Sequence, residues 1–561
     1  MSFLKGFLRR NWFAFALASL FVAVGTLPHL YGYALEANNM HFMGFVGRGV
    51  FGHNGYLMLA RQAQEGQHLM ENLLAPEPLP RVFFNLEWWL YGKAARWTGL
   101  SLVAVYHFYR AASVFLLAFS VLYLLRRCLH TVFQQRFALA LVTLGSGFGW
   151  MLIAGSRVLL RLMPSLTPLA RTEFPGVQYE NVLVPLPPDV GGVSLPAYLV
   201  NQPHFALAVG LVALTYGLLI AAVQTGRTRY YVYSGMAALA HAVVRPYNIP
   251  EMYLIFLLYP ALLCVRDGRL DVRRFVGPAL AGALMLPLVF YYAYLASTGA
   301  LGGKGPLWQP GLFVDHILWL GLPFILAVMS FRGLSRLKEV SPAILLMGLW
   351  LVVAFLIEQT WPYYRSGQEG AFAAYTVAPV ILATAGPLRW AYEYILRRRP
   401  TFASAKLAAA GALILVSMPS TALVYYRMFT DLRDHPAPYY VSDDVYQGMK
   451  WLEANAGRHD TVLSSFDTGQ LVPRVAGVKA FQGHYMITPN AAEKRALAER
   501  FYGTRGDDAF KRKLVRDYGI RYVFLSPLER RPSGFDPAEH PWLVPVFSQG
   551  DTGLYRVQRQ N

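Results

Sequence analysis

Eleven apolar stretches, each long enough to cross a bilayer, alternate with short polar connections along most of the chain. Because their number is odd, we expect the two ends of the chain on opposite sides of a membrane. The N-terminal segment carries Lys5, Arg9 and Arg10, and basic residues favour the cytoplasmic side. The connections predicted on that side are basic too. The predicted spans are 12–33, 104–125, 136–155, 204–224, 230–247, 249–265, 275–297, 313–331, 342–359, 371–395 and 404–427.

The distribution of charge agrees with this topology. The chain has 51 Lys and Arg against 32 Asp and Glu, a formal net charge of +19. From residue 431 onward the counts are 18 and 16, so nearly all of the excess belongs to the membrane part. An excess in cytoplasmic loops reflects topology and contact with anionic lipid, so we expect membrane lipids as partners and no nucleic acid. The two cysteines, Cys128 and Cys264, exclude a disulfide framework and a cysteine metal site.

The first predicted outer loop, residues 34–103, is unusually long. Its first part spaces apolar residues as one stripe of a helix, which predicts an amphipathic helix suited to the interface plane of a membrane. A second helix follows a break at Pro76, Pro78 and Pro80, and its tryptophans are typical of a lipid boundary. The stripe of the first helix consists of Tyr56, Leu57, Leu59, Ala60 and Ala63.

A pattern of spaced residues runs through this loop and into the second span: Tyr56, Leu57, Arg61, Gln62, Glu65, Gly66, Asn72, Leu73, Gly92, Lys93, Gly99, Leu100, Ser101, Tyr106 and Arg110. Further patterns are NQPHFALA (201–208), VVRPYNIPE (243–251) and the run before the tenth span. Together they resemble the GT-C superfamily, the polyprenol-phosphate-sugar-dependent membrane glycosyltransferases that include protein O-mannosyltransferases and the aminoarabinose transferase of lipid A.

The superfamily resemblance implies an acidic residue at the start of the first loop helix, which acts as a base or positions the acceptor. This chain has Gly52 and His53 at that position. Three alternatives remain open: His53 replaces the acid, Glu36 reaches in from beyond the first span, or transferase activity has been lost. An imidazole can act as a base near neutral pH. The alternatives without a catalytic role are a solvated loop histidine hydrogen-bonded to Asn54, for His53, and an interfacial charge at a helix end, for Glu36.

Other residues of the loop are candidates for contact with substrate. They are Asn54, Tyr56, Arg61 and Glu87. For Glu87, as for Glu65, an exposed helix face is the simpler interpretation.

Charged residues at membrane depth are functional candidates, because burying a charge in a bilayer is costly. Arg245 and Tyr247 follow the fifth span, and Glu251 opens the sixth. A guanidinium suits a lipid-linked phosphate, because its planar fork binds two oxygens at once. The alternative is an Arg245–Glu251 pair that closes the turn between the spans.

Three further polar residues are predicted near the outer ends of spans: Arg110, His204 and Arg365. Each is a candidate for binding substrate in one outward-facing cavity. Taken one at a time, snorkelling is the simpler interpretation of the two arginines, and a hydrogen bond at a helix start is the simpler interpretation of His204.

The C-terminal segment, residues 431–561, reads as a soluble domain. Short strand-like runs (TVLSS, VKAFQG, RYVFLSP, LVPVFSQ) alternate with helical segments that begin near residues 443, 490 and 507. This alternation predicts an α/β or α+β domain. Strand-end residues such as Ser464, Asp467 and His484 are candidates to border a site, but neither a nucleophile elbow nor metal-ligand spacing is present.

The expected fold is therefore a polytopic α-helical membrane protein of about eleven spans, GT-C-like, with a C-terminal extracytoplasmic α/β domain. We expect a GT-C-like module over residues 1–430 and the outer domain over 431–561, in a cell (inner) membrane with a cytoplasmic N-terminus. The implied function is inverting transfer of a sugar from a polyprenyl-phosphate donor to an extracytoplasmic lipid, glycan or protein. The alternatives are an inactive GT-C-like scaffold or lipid-glycan binding subunit and, third, a transporter. No cofactor or metal site is expected, and dependence on a divalent metal is open.

Overall fold

Helices dominate the computed structural model and coincide with the apolar stretches of the sequence. The structure describes residues 2–37, 39–47, 50–173, 179–183, 201–299, 313–360, 367–398, 403–503, 507–530 and 535–558. Seven helices in these ranges are long and apolar enough to cross a membrane, or up to nine spans if two bent helix pairs each count as one. The chain is thus an integral membrane protein.

Each of the eleven predicted spans coincides with helix. The two that fall outside the count of nine are the 17-residue helix Thr228–Val244 and the pair Phe313–Leu320 and Leu322–Ser330. The other helices of the membrane region are Ser2–Ala34, Leu102–Cys128, Val132–Leu144, Gly149–Leu162, Pro203–Thr225, Ile249–Asp267, Arg273–Thr298, Pro342–Thr360, Gly367–Ala385, Pro387–Arg398, Ala403–Ser417 and Pro419–Thr430.

The chain divides into two units. The membrane unit comprises Met1–Pro28, Phe108–Phe290 and Leu307–Met428. The loop–tail unit comprises His29–His107, Tyr291–Pro306 and Phe429–Asn561. In this division residues 34–103, the predicted outer loop, fall in one unit with the C-terminal segment. The expected folding domains, 1–430 and 431–561, stay a prediction.

Small residues let helices of the membrane unit approach closely. Gly210 faces the main chain of Leu117, where an added Cβ would lie 3.1 Å from the Leu117 Cα. Gly217, two turns further along the same helix, lies against Tyr123 and Leu124. Such contacts replace hydrophobic driving force inside a bilayer, where lipid is as apolar as leucine. The helix Pro203–Thr225 is consequently buried along most of its length.

The loop–tail unit contains a five-stranded mixed sheet, as an α/β domain should. Its order is β6-β5-β7-β9-β8, with β5 parallel to β6 and β7, and with β9 antiparallel to β7 and β8. The strands are β5 Thr461–Leu463, β6 Lys479–Ala480, β7 Ile520–Leu525, β8 Leu543–Gln549 and β9 Thr552–Val557. The helices of the tail are Asp443–Asn455, Phe466–Val475, Ala491–Tyr502, Asp508–Asp517 and Pro527–Arg530.

The first outer loop contributes to the same core. It forms the helices Val50–Gln64 and Leu86–Thr98, and the short strand β1 Met40–Phe42 pairs antiparallel with β4 Tyr440–Ser442 of the tail. Met58, Leu73 and Leu74 of the loop lie in one buried cluster with apolar residues of the tail sheet and helices. The structure thus covers much of the stripe that the sequence assigned to a membrane surface. Leu57, Ala60 and Ala63 are fully buried by protein.

Two further short strands are described. They are β2 Arg171–Glu173 and β3 Tyr179–Val182, which pair antiparallel between the third and fourth predicted spans.

Candidate functional site

Arg245 is a buried cation in the membrane unit. The helix Thr228–Val244 ends there because Pro246 follows, and a residue before proline is displaced from helical into extended conformation; Arg245 has φ −147° and ψ 103°. Its guanidinium carbon lies 3.6 Å from the centre of the Phe205 ring and 5.3 Å from that of Tyr247. A cation stacked on an aromatic face is stabilised by the ring's quadrupole, so Phe205 holds the guanidinium plane in place. Arg245 is 4% exposed, and Tyr247 is partly exposed.

Glu251 connects three helices of the membrane unit. Its Oε1 accepts hydrogen bonds from the Tyr216 hydroxyl at 3.0 Å and from Trp350 Nε1 at 2.6 Å, and its Oε2 accepts one from Asn248 Nδ2 at 3.0 Å. In the part of the chain that the structure describes, no ion pair joins it to Arg245. The Arg245–Glu251 pair considered from the sequence is therefore not formed. The hydrogen bonds of Glu251 instead hold neighbouring helices together.

Two of the three remaining membrane candidates are buried. Arg110 donates from Nη2 to Thr26 Oγ1 at 2.7 Å and is 1% exposed. His204 begins the helix Pro203–Thr225 and its ring lies 4.5 Å from that of Phe205, so it is a neighbour of the Arg245 stack. The predicted substrate-binding residue Arg365 lies outside the described residues.

A second buried polar cluster of the membrane unit had no counterpart in the sequence analysis. Glu358 accepts hydrogen bonds from His316 Nε2 at 2.8 Å and from the Tyr375 hydroxyl, and all three side chains are buried. Glu358, His316 and Tyr375 each lie in an apolar stretch that the sequence predicts as a membrane span without a functional group. Only a search for ionisable residues inside spans would have found them.

His53 lies inside the loop–tail unit. It is 1% exposed, its Nε2 is hydrogen-bonded to the Tyr106 hydroxyl, and its ring packs on Phe45 at 4.7 Å. The neighbouring Asn54 accepts a hydrogen bond through Oδ1 from Arg474 Nη1 at 2.8 Å. The solvated loop histidine considered from the sequence is thus contradicted, because His53 is enclosed by aromatic rings.

The other candidates of the loop have contacts within the loop–tail unit. Tyr56 stacks on Trp88 with ring centres 4.4 Å apart. Arg61 forms ion pairs with Glu65 at 2.7 Å and with Glu453 of the tail at 2.6 Å. Glu87 is buried in the first turn of its helix, where the helix dipole favours a carboxylate, so the exposed face expected for it is wrong. Arg61 fastens the loop to the tail.

Glu36 is the more accessible of the two candidate bases. Its side chain is 33% exposed, and its Oε1 lies 3.4 Å from Nδ1 of His41. The other ring nitrogen of His41, Nε2, is hydrogen-bonded at 2.7 Å to Oδ1 of Asp443. This hydrogen bond lowers the pKa of Asp443. The imidazole of His41 therefore lies between the carboxylates of Glu36 and Asp443.

Arg474 is the buried cation of the loop–tail unit, and no sequence pattern indicated it. It donates to Asn54 Oδ1 and, at 2.6 Å, to the carbonyl of Met43, and its guanidinium carbon lies 4.8 Å from the centre of the Phe45 ring. Burial lowers the pKa of Arg474 to about 10, so it remains cationic at neutral pH. A residue of the tail thus fixes the segment that contains His53.

His484, a strand-end candidate, has a local role. Its Nδ1 accepts hydrogen bonds from the main-chain amides of Met486 at 3.1 Å and Ile487 at 3.3 Å. Burial lowers the pKa of His484 to about 4, so the ring is neutral at physiological pH. These contacts organise a loop after β6.

No protein-family model and no curated protein sequence matches the chain. Solved structures do match it. The apo form of the Archaeoglobus fulgidus oligosaccharyltransferase aligns at 12% identity with a TM-score of 0.53, over 92% of this chain and 70% of that one. The chain has the GT-C fold. The polytopic helical fold class with its C-terminal α/β domain is thereby confirmed, as is the resemblance seen in the sequence.

Two further structures are similar at lower scores. The same oligosaccharyltransferase, in complex with an inhibitory peptide and a dolichol-phosphate, is 12% identical with a TM-score of 0.49, over 92% of this chain and 69% of that one. ArnT from Cupriavidus metallidurans, bound to undecaprenyl phosphate, is 13% identical with a TM-score of 0.48, over 96% of this chain and 97% of that one.

Within this GT-C fold the predicted residues fall into two groups. Arg110, His204, Arg245 and Glu251 belong to the membrane unit, with Phe205 as the partner that the sequence did not indicate. Glu36, His53, Asn54, Tyr56, Arg61 and Glu87 belong to the loop–tail unit, where His41, Asp443 and Arg474 are the additions. Within the described ranges no group of three or more His, Cys, Asp or Glu residues is arranged to hold a metal ion.

Proposed function

We propose that this chain is a glycosyltransferase that moves a sugar from a polyprenyl-phosphate donor to a hydroxyl of an extracytoplasmic acceptor, with inversion at the anomeric carbon. The observation that carries the proposal is the buried Arg245 cation in the membrane unit of a GT-C fold. A charge at membrane depth is a candidate functional group, because it is costly to bury. A guanidinium also suits the phosphate of a lipid-linked sugar, because its planar fork binds two oxygens at once.

The chemistry requires a base and a stabiliser of the leaving group. The acceptor hydroxyl attacks the anomeric carbon from the face opposite the phosphate, and its proton passes to a base. The bond between the anomeric carbon and the phosphate oxygen breaks, and its electron pair leaves with the polyprenyl phosphate. We assign the stabilisation of that developing charge to Arg245, because fixed charges aimed at a leaving group supply much of the catalysis in such reactions.

Of the two candidate bases, the geometry favours Glu36. A base must come within hydrogen-bond reach of the proton that it abstracts. The Glu36 side chain is one-third exposed, whereas His53 is enclosed by Phe45 and Tyr106. His53 then stabilises the loop through its contacts with Phe45 and Tyr106 and does not act as the base.

The test is transfer of radiolabelled sugar from a panel of polyprenyl-phosphate sugars to a membrane extract by the purified full-length chain. We expect Glu36→Gln and Arg245→Gln to abolish transfer. Arg389→Gln serves as the matched control, because Arg389 is a half-exposed arginine of the membrane unit that pairs with Glu393 at 2.8 Å. Donor binding without transfer to any acceptor would favour the scaffold alternative. Without any donor binding, only the fold assignment would stand.

A further inference from the structure

His41 lies between two carboxylates that come from opposite ends of the chain. Glu36 follows the first membrane helix, and Asp443 begins the helix Asp443–Asn455 of the tail. Among the described residues, the His41 imidazole lies within ion-pair distance of the Glu36 carboxylate. The strands β1 and β4 hold this arrangement, because they pair antiparallel with His41 opposite Val441.

The main chain fixes the second carboxylate. The amide of Asp443 donates to the carbonyl of Asn39 at 2.8 Å, which extends the pairing of the two strands. The carboxylate lies at the first turn of its helix, where the helix dipole stabilises a negative charge. The short contact between Nε2 and Oδ1 indicates that Nε2 carries a proton, since a carboxylate only accepts hydrogen bonds. The Nδ1 atom then faces Glu36.

We propose that His41, held by Asp443 of the tail, is a positioning residue that acts through Glu36 and takes from its carboxyl group the proton of the acceptor hydroxyl. The inference rests on the proposed function, in which Glu36 is the base. Through Asp443, the tail would then take part in the reaction.

The proton path balances. The acceptor oxygen forms its bond to the anomeric carbon, and its proton passes to Glu36. The proton then moves from Oε1 of Glu36 to Nδ1 of His41, which becomes an imidazolium between two carboxylates. The charge of Asp443 stabilises that imidazolium, by the same logic as an orienting aspartate behind a catalytic histidine. All three side chains are about one-third exposed, so solvent receives the proton and the carboxylate is restored.

Several groups surround this chain of contacts. The Tyr446 ring packs on His41 at 4.5 Å, and the side-chain amides of Gln447 and Gln549 donate to Asp443 at 3.2 and 3.3 Å. On the side of Glu36, its charge acts on Tyr33 and Tyr440. Burial, and after it the charges of Glu36 and Tyr31, raise the pKa of Tyr440 to about 12, so Tyr440 stays neutral. His435 bonds through Nε2 to the carbonyl of Leu35, at 2.6 Å. His41 is thus the titratable group in direct contact with Glu36.

The experiment is the pH–rate profile of transfer by the full-length chain and its variants. His41 accepts a proton only while its imidazole is neutral, so protonation of that ring at low pH ends the transfer. We expect His41→Gln to lower turnover about fivefold, the factor typical of a partly exposed ion pair. Its acid limb should move to lower pH, because the profile no longer includes protonation of the His41 ring. Asp443→Asn should shift the limb in the same direction by less, while the affinity for the donor stays unchanged in both variants.

Asp444→Asn is the matched control, because Asp444 is the next residue of the same helix and bonds to Thr552 Oγ1 at 2.8 Å instead of to His41. It should leave the profile unchanged. If Glu36→Gln retains transfer, Glu36 is not the base and the inference is overturned with it. If Glu36→Gln abolishes transfer but His41→Gln and Asp443→Asn keep the wild-type acid limb, the proposed function stands and this inference alone is overturned.

Discussion

Arg474 offers the sharpest test of how the first outer loop is held. It is a cation inside the loop–tail unit, and its two hydrogen bonds reach the main chain of Met43 and the side chain of Asn54, both in the loop. We predict that Arg474→Leu lowers the free energy of unfolding of this unit by about 3 kcal/mol, because two buried oxygens lose their donors at about 1–3 kcal/mol each while the desolvation of one charge is relieved.

The assay is thermal unfolding of the full-length chain in detergent, with hydrogen–deuterium exchange to locate the change. For a unit of this size about 3 kcal/mol corresponds to a melting temperature lower by about 6–12 °C. Faster exchange should appear in the helices Val50–Gln64 and Phe466–Val475, since Arg474 of the second helix donates a hydrogen bond to Asn54 of the first.

Arg495→Leu is the control, because Arg495 is an exposed arginine of the tail that pairs with Glu499 at 3.0 Å across one helical turn. Surface pairs of this kind contribute about 0.3–0.5 kcal/mol. Equal melting temperatures for the two leucine variants would refute the reasoning, because the buried hydrogen bonds would then contribute no more than an exposed ion pair.

Three further predictions concern single contacts. The pKa of His484 is near 4 in the folded chain and near 6.5 in a free histidine, so the unfolded chain binds the proton first as the pH falls. The free energy of unfolding should therefore be highest above pH 6.5 and fall by up to about 3 kcal/mol toward pH 4. Melting curves across this range should show the decrease for the wild type and not for His484→Gln. A Cβ at Gly92 would lie 2.1 Å from a carbonyl oxygen of the facing helix, so Gly92→Ala should destabilise by about 2 kcal/mol, whereas Gly52→Ala, with only an ordinary contact at 3.6 Å, should melt like wild type. Phe205→Leu should weaken equilibrium binding of the lipid-linked donor about fivefold by releasing the stacked Arg245, and unchanged affinity would contradict that role.

The membrane helices were predictable because their sequence property is local. Any helix that crosses a bilayer needs about twenty apolar residues in a row, and this requirement is legible without knowledge of its neighbours. The strands β5 and β7 of the tail could also be predicted, because each is a short local run of apolar residues. β9 and the helix Phe466–Val475 were missed, since neither shows a regular pattern and Pro473 interrupts the helix.

The partners of the candidate residues were not predictable in this way. Arg245 was found because a charge among apolar residues stands out, yet Phe205, which stacks on it, is one of many phenylalanines in an apolar helix. Arg474 lies 420 residues from its partner Asn54, and nothing in the pattern around it marks a buried cation. Contacts between distant segments depend on the assembled fold, and a single sequence carries no record of them.

The apolar stripe of the first loop helix also shows that the sequence does not record contact partners. An apolar stripe states that a surface must be covered, and lipid and protein satisfy it equally. The sequence therefore allowed a helix on the membrane, and the structure covers Tyr56, Ala60 and Ala63 with the second loop helix instead. The contacts between the loop and the tail have a consequence for the chemistry. Because the tail packs against the loop, Asp443 comes within reach of His41, and through it a domain at the end of the chain acts on Glu36 near its start.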